Sequence, residues 1–160
     1  TRKLEIFSAC VVSKLLYGLH TAWLNAAELR RLDALQARAI RIIFGIKHAY
    51  VSRVSNETVM QKAQARPLSR VLLERQLLLL GKIARCPDGD VLRGSVFVDG
   101  SCDIKSMGPR KRGRPRATWT NRVHSEALRL AGSKEALAAM LQDSRTAQSA
   151  WERAVREHCK

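Results

Sequence analysis

Residues 68 to 85 contain the run Leu77-Leu78-Leu79-Leu80 and are apolar over most of a helical circumference. A helix that is apolar nearly all round is stable only when neighbours cover most of its sides. This stretch therefore predicts a central buried helix with the other elements gathered around it. Pro67 suits its first turn, where no backbone N–H is needed. Arg75, Lys82 and Arg85 share its narrow polar side. Gly81 in its interior costs about 1 kcal/mol of helix propensity relative to alanine, which predicts a close approach by a second helix at that point.

The elements on either side read as helices too. Residues 2–19 carry Leu4, Phe7, Val11 and Leu15 at helical spacing, with Ile6, Cys10 and Leu16 widening the stripe, and Gly18 closes them. Trp23 follows in a short extended connection and is expected to plug the core. Asn25 and Glu28 form a capping-box pair, and Gly45 supplies the C-cap of the helix they open. Ser55 or Asn56 caps a short helix to about Ala65. Cys86 to Asp90 is a turn, and Val91 to Val98 alternates enough to read as a short strand-like piece. Thr118 to Leu130 is helical and ends at Gly132, Ser133 caps Lys134 to Leu141, and Ser144 opens a last helix. Trp119 and Trp151 are expected as core plugs of these C-terminal helices. The fold expected is all-α, with five to seven helices and at most one strand-like ribbon near 91–98. Its parts are a helical domain at 1–85, a connector at 86–117 and a small helical part at 118–160.

Charge bears on partners. The chain has 29 Lys and Arg against 14 Asp and Glu, a formal net charge of +15 over 160 residues. Residues 1–85 hold 15 basic and 5 acidic side chains. A field of this sign favours nucleic acid or an anionic surface. On the Asn25–Gly45 helix, at about 100° per residue, Leu29, Leu32, Gln36, Ala39, Ile40 and Ile43 fall on one side. Arg30, Arg31, Arg38 and Arg41 fall on the other, with only Glu28 and Asp33 nearby to neutralise them. These four arginines are the first candidate phosphate contacts. The second set is Arg110, Lys111, Arg112, Arg114 and Arg116, in a segment whose two prolines and two glycines between Gly108 and Pro115 forbid regular structure. Such a segment is an extended cationic tether. Its core Arg112-Gly113-Arg114-Pro115 resembles an AT-hook, in which arginines flanking a glycine lie in a narrow A/T minor groove. A basic linker or an import signal fits the same string.

Several strings then occur in a telling order: Lys3-Leu-Glu-Ile-Phe7, Leu15-Leu-Tyr-Gly18 and Trp23, Glu28-Leu-Arg-Arg-Leu-Asp33, Ile42-Ile-Phe-Gly-Ile46, Arg53-Val-Ser-Asn-Glu57, Arg75 with Leu80-Gly-Lys-Ile83, Gly113-Arg-Pro-Arg116 with Trp119, and Asp143 with Arg145 and Trp151-Glu-Arg153. The set resembles the region just C-terminal to the palm in reverse transcriptases of non-LTR (LINE-type) retrotransposons. It departs from that pattern at Ser13 (often proline), Leu79 (often tryptophan) and Lys82 (often histidine), and by one extra residue between Gly18 and Trp23. The resemblance implies thumb and post-thumb helices that grip a template–primer duplex by its backbone, with the polymerase palm as a further partner. It also implies an RNA-directed DNA polymerase as the parent protein, and a nuclear and cytoplasmic setting.

Catalysis by this chain alone is not expected. Polymerase chemistry needs paired aspartates to hold divalent metal, and no Asp-Asp pair occurs in the chain. Asp99-Gly100-Ser101 resembles the opening of an RNase H domain but reads better as a turn. Cys10, Cys86, Cys102 and Cys159 lack the paired spacing of a zinc site, and are expected as free thiols in a reducing compartment. No metal, cofactor, small-molecule substrate or membrane partner is expected. The chain opens on Thr1 rather than Met, directly in helix-like sequence, and reads as a fragment or a cut piece. Two other functions fit the composition: a free-standing AT-hook-type DNA-binding protein, and a non-catalytic helical interaction module.

Overall fold

The structure, a computed structural model, describes residues 2–105 and 118–160. It is all-α. Among the described residues the one extended pairing is an isolated antiparallel bridge between Phe97 and Ile104. The helices are α1 (Arg2–Ile6), a π-helical turn (Phe7–Val12), α2 (Ser13–Leu15), α3 (Ala26–Phe44), α4 (Ala49–Ser52), α5 (Asn56–Ala63), α6 (Leu68–Ala84), α7 (Val91–Val96), α8 (Trp119–Ala131), α9 (Lys134–Leu141) and α10 (Arg145–His158). With residues 2–15 taken as one helix, the short helices α4 and α7 carry the number among the described residues above the five to seven expected. The chain divides into two compact units, Thr1–Leu72 and Leu73–Lys160. The division falls inside α6, whereas the sequence places one after residue 85. The reason is the distribution of its leucines. Leu68 and Leu72 close the core of the first unit, and Leu77, Leu80 and Ile83 form that of the second.

In the first unit, the stripe expected on residues 2–19 is interrupted. Leu4, Phe7 and Leu15 are half-buried and Leu16 is buried, but Ile6, Cys10 and Val11 are exposed, and Val12 packs on the core instead. The Ser13 N–H bonds to the Ser8 carbonyl, five residues back. A π turn holds one residue more than an α turn, so the inward position slips from Val11 to Val12. Gly18, at φ 69°, then ends the segment. Trp23 does not plug the core. It is 36% exposed, and Leu24 packs inward in its place. In an extended connection successive side chains point to opposite sides, so with Leu24 inward Trp23 faces out.

The opening of α3 is as expected. Asn25 Oδ1 accepts from the N–H groups of Ala27 and Glu28, each at 2.9 Å, and Glu28 Oε2 accepts from Asn25 N–H at 2.7 Å. Gly45, at φ 66°, closes the helix. Two polar side chains of α3 turn inward to hold the start of α6. Gln36 donates to the Arg66 carbonyl (2.9 Å) and accepts from Leu68 N–H (3.0 Å). Asp33 accepts from the Ser69 N–H (2.9 Å) and hydroxyl (2.7 Å). The first N–H groups of a helix have no partner within it, and here α3 provides two of them.

In the second unit, Trp151 of α10 is fully buried against α6. Its indole N–H donates to the Leu77 carbonyl at 3.2 Å. A Cβ on Gly81 would lie 2.7 Å from Trp151 Cδ1 and nearer still to Nε1, so the glycine permits the approach. Trp119 is half-buried against the same core. Thr118, Ser133 and Ser144 cap α8, α9 and α10 with their side chains. Residues 91–96 are helical rather than strand-like. Asp90 caps α7 by accepting from Leu92 N–H at 2.7 Å, and that local bond outweighs a weak alternation. Phe97, 1% exposed, then leaves the helix in extended backbone. His124 is buried. Its Nε2 lies 3.2 Å from the Cys102 carbonyl, so Nε2 carries the proton. Burial pushes the imidazole below its ordinary value of 6.5; the Cys102 bond and Asp103 oppose that shift, and Lys134 adds to it. None of the four cysteines is in a disulfide. Among the described residues no His, Cys, Asp and Glu cluster of metal-holding size occurs, and no helix is long and apolar enough to cross a membrane.

Two outcomes follow from this packing. Gly81→Ala should gain helix propensity yet lower unfolding stability by about 1–3 kcal/mol, the usual cost of overpacking, because the buried indole has to move. A urea midpoint equal to wild type would show that the contact is slack. For His124 the folded-state pKa is depressed, so the unfolded chain binds the proton more readily. Its stabilising contribution is present above pH 6.5 and is lost as pH falls through the folded value. Denaturant midpoints taken from pH 7.5 down to pH 5 should fall in wild type and fall less in His124→Gln.

Candidate nucleic-acid interface

The arginines of α3 divide by position on the wheel. Leu32, Gln36, Ala37 and Ile40 are buried, with Leu29 and Ile43 half-buried beside them. At about 100° per residue, the direction opposite this face is occupied by Arg31, Leu35, Arg38 and Ile42. All four are exposed. Arg30 is exposed on the flank, where its Nε donates to the Ala26 carbonyl at 3.3 Å. Arg31 and Arg38 are two turns apart, about 10 Å along the axis.

Arg41 is not part of this surface. It is 5% exposed, and its guanidinium is bonded from several sides. Nη2 donates to the Val54 carbonyl (2.6 Å) and to Asn56 Oδ1 (3.0 Å), and Nη1 to the Lys47 carbonyl (3.3 Å). On the wheel it borders the buried arc next to Ala37. The chain after Gly45 turns back over it, and its guanidinium ties the 47–56 segment to α3. A lone wheel shows the angle of Arg41 but not what returns to cover it.

The two carboxylates near the stripe are both engaged. Glu28 belongs to the capping box and Asp33 to the start of α6. No ion pair to Arg30, Arg31 or Arg38 forms among the described residues. The charge of these three side chains is therefore not neutralised from within. Leu35 and Ile42, 49% and 72% exposed, sit between and beyond them. The sequence signal for this was their i, i+7 spacing, the same as that of Arg31 and Arg38. Arg110, Lys111, Arg112, Arg114 and Arg116 lie outside the described residues.

The second unit carries a cationic site that the sequence marked only as the polar side of α6. A cleft of about 630 Å³ is bordered by Lys82 of α6, Arg85 just after it, Asp143, and Gln148, Glu152 and Arg156 of α10. Comparison of the chain with protein-family models, curated proteins and solved structures finds no match.

Arg41 and the exposed arginines should separate in one experiment. Arg41→Gln removes charge-assisted bonds from a buried guanidinium, each worth about 1.5–3 kcal/mol. It should lower unfolding stability by at least the bottom of that range and leave the salt dependence of nucleic-acid binding unchanged. A reduced salt slope with unchanged stability would put Arg41 back on the surface.

Proposed function

We propose that this chain is the thumb and post-thumb region of a LINE-type retrotransposon reverse transcriptase, and that it binds a template–primer or DNA duplex by its phosphate backbone. The observation that supports this best is the outer face of α3. Arg31 and Arg38 are exposed there and Arg30 on its flank, without carboxylate partners among the described residues, while Glu28 and Asp33 are held in backbone caps. Contacts to phosphate position a duplex without reading its sequence, and arginine forks onto phosphate oxygens in pairs of bonds. The ordered motifs from Lys3-Leu-Glu-Ile-Phe7 to Trp151-Glu-Arg153 support the family part of the reading. In this reading the palm domain of the parent polymerase supplies the metal chemistry. The present chain contributes grip and needs no cofactor of its own. The exposed Leu35 and Ile42 are then available to sugar edges or to the palm.

Fluorescence anisotropy of the full chain over a salt series tests the proposal. The ligands are an RNA/DNA hybrid primer–template, an A/T-rich duplex and a G/C-rich duplex of equal length. Binding of similar strength to all three is expected. The slope of log K against log salt should fall by about 0.7–0.9 for each arginine removed in Arg30→Gln, Arg31→Gln and Arg38→Gln. Equal slopes for wild type and the triple variant would remove α3 from the interface. An A/T preference lost with Arg112→Ala and Arg114→Ala would favour the AT-hook alternative. No binding at physiological salt would leave a helical interaction module.

A further inference from the structure

Among the described residues, one arginine has a buried guanidinium nitrogen without a partner. Arg41 is bonded to Val54, Asn56 and Lys47. Arg93 pairs with Asp88 at 2.8 Å and donates to the Ala84 and Ser101 carbonyls. Arg85 has neither a hydrogen bond nor an ion pair among the described residues, and its Nη1 is buried with no partner at all. A buried charged donor left without an acceptor is costly, and such a group requires an explanation.

The surroundings of Arg85 provide one. It lines the cleft of about 630 Å³ together with Lys82, one helical turn earlier on α6. That volume lies within the range of small-ligand sites, roughly 300–1,000 Å³. Two carboxylates share the cleft, but they are not equivalent. Glu152 is occupied, accepting from Gln148 at 3.0 Å and pairing with Arg156 at 3.6 Å. Among the described residues Asp143 alone stands against Lys82 and Arg85, so the local balance favours an anion. Arg85 cannot withdraw deeper, because Gly81 and the Trp151 indole lie behind it; its Nη2 is 3.2 Å from the place a Cβ on Gly81 would take.

We propose that the cleft between α6 and α10 is a phosphate-binding site, in which Arg85 and Lys82 take the anionic oxygens. Arginine supplies a planar fork matched to a phosphate and lysine a movable point charge. The orphaned Nη1 is enclosed, so a phosphate supplies the acceptor it lacks only as the guanidinium turns outward into the cleft. The source is a phosphate of a nucleic-acid strand or a free phosphate. The strand source rests on the nucleic-acid reading above; the site itself does not.

The test uses the full chain, labelled with 15N at arginine, and follows the side-chain Nε–Hε signals by NMR. The Arg85 signal is assigned by its absence in Arg85→Lys. Inorganic phosphate should shift it saturably. Tetrathymidylate with and without a 5′-phosphate distinguishes the source. A lower saturation concentration with the 5′-phosphate indicates a strand terminus, and equal responses indicate internal phosphodiesters; either supports the site. An Arg85 signal unmoved by inorganic phosphate and by both oligonucleotides overturns it. In parallel, Lys82→Gln, an exposed change that keeps the fold, should raise the phosphate concentration needed for half-saturation at least threefold. An unchanged value would leave Arg85 without its neighbour and overturn the two-residue site. Duplex binding lost in anisotropy while phosphate still shifts Arg85 would refute the polymerase reading alone.

Discussion

The second unit depends on one contact, the indole of Trp151 lying directly on the backbone of α6 at Gly81. A tryptophan brings the largest apolar surface of any side chain, but it also brings an N–H that has to be satisfied when buried. Both needs are met at one place. The ring covers the gap left by the missing Cβ, and the N–H reaches the Leu77 carbonyl one turn earlier. With α10 fixed at this distance from α6, Val155 and Cys159 fall on the same inner line, and α8 and α9 fill the remaining side through Val123, Ala127, Leu137 and Leu141. A larger residue at 81 would push the whole of α10 outward. The poor helix propensity of glycine is therefore the condition for the tightest packing in this unit.

The first unit rests on a polar arrangement instead. Its apolar cluster is small, Leu16, Leu32, Leu68 and Leu72 with half-buried neighbours. Orientation comes from Gln36 and Asp33, which bond the first turn of α6, and from Arg41, which bonds the segment between α3 and α5. Three polar residues of α3 thus do what additional leucines do in a larger core. Each is buried or half-buried with its hydrogen bonds made, which is the condition under which buried polar groups add order rather than cost stability.

Local signals were readable in proportion to how local their physics is. Caps involve three or four residues, and Asn25, Ser55, Thr118, Ser133, Ser144, Gly45 and Gly132 all stand where the sequence indicates helix ends. The close approach at Gly81 was readable because a glycine inside a leucine-rich helix has few other uses, although its partner Trp151, 70 residues on, was not. The π turn at Phe7–Val12 left no mark, since a stripe built from Leu4, Phe7, Val11 and Leu15 is as regular as any α-helical one. The size of Trp23 does not decide its burial, because the alternation of an extended connection favours Leu24. Val91–Val96 misled because period-2 alternation over so few residues is weak beside one aspartate cap. Arg41 was beyond reach for a different reason. Its cover is provided by a loop whose path no wheel contains.

The arginines show how a strongly basic chain separates structural from available charge. A guanidinium has five N–H donors and no acceptor, so in a protein poor in carboxylates its natural internal partners are backbone carbonyls and amides. Arg41 and Arg93 follow that rule, and each joins segments that would otherwise expose bare carbonyls. The carboxylates near α3 are likewise spent on N–H groups rather than on arginines. The result is that cation–anion pairing inside the molecule is kept low, and what remains on Arg30, Arg31, Arg38, Lys82 and Arg85 is uncompensated. A surplus of this kind destabilises a folded chain through self-repulsion. That surplus is spread over the surface, with Arg2, Lys3, Lys14, Arg53 and Arg70 exposed besides the cations of α3 and of the cleft. The buried Nη1 of Arg85 is the sharpest case, since there a desolvated donor, and not solvated surface, lacks an acceptor among the described residues.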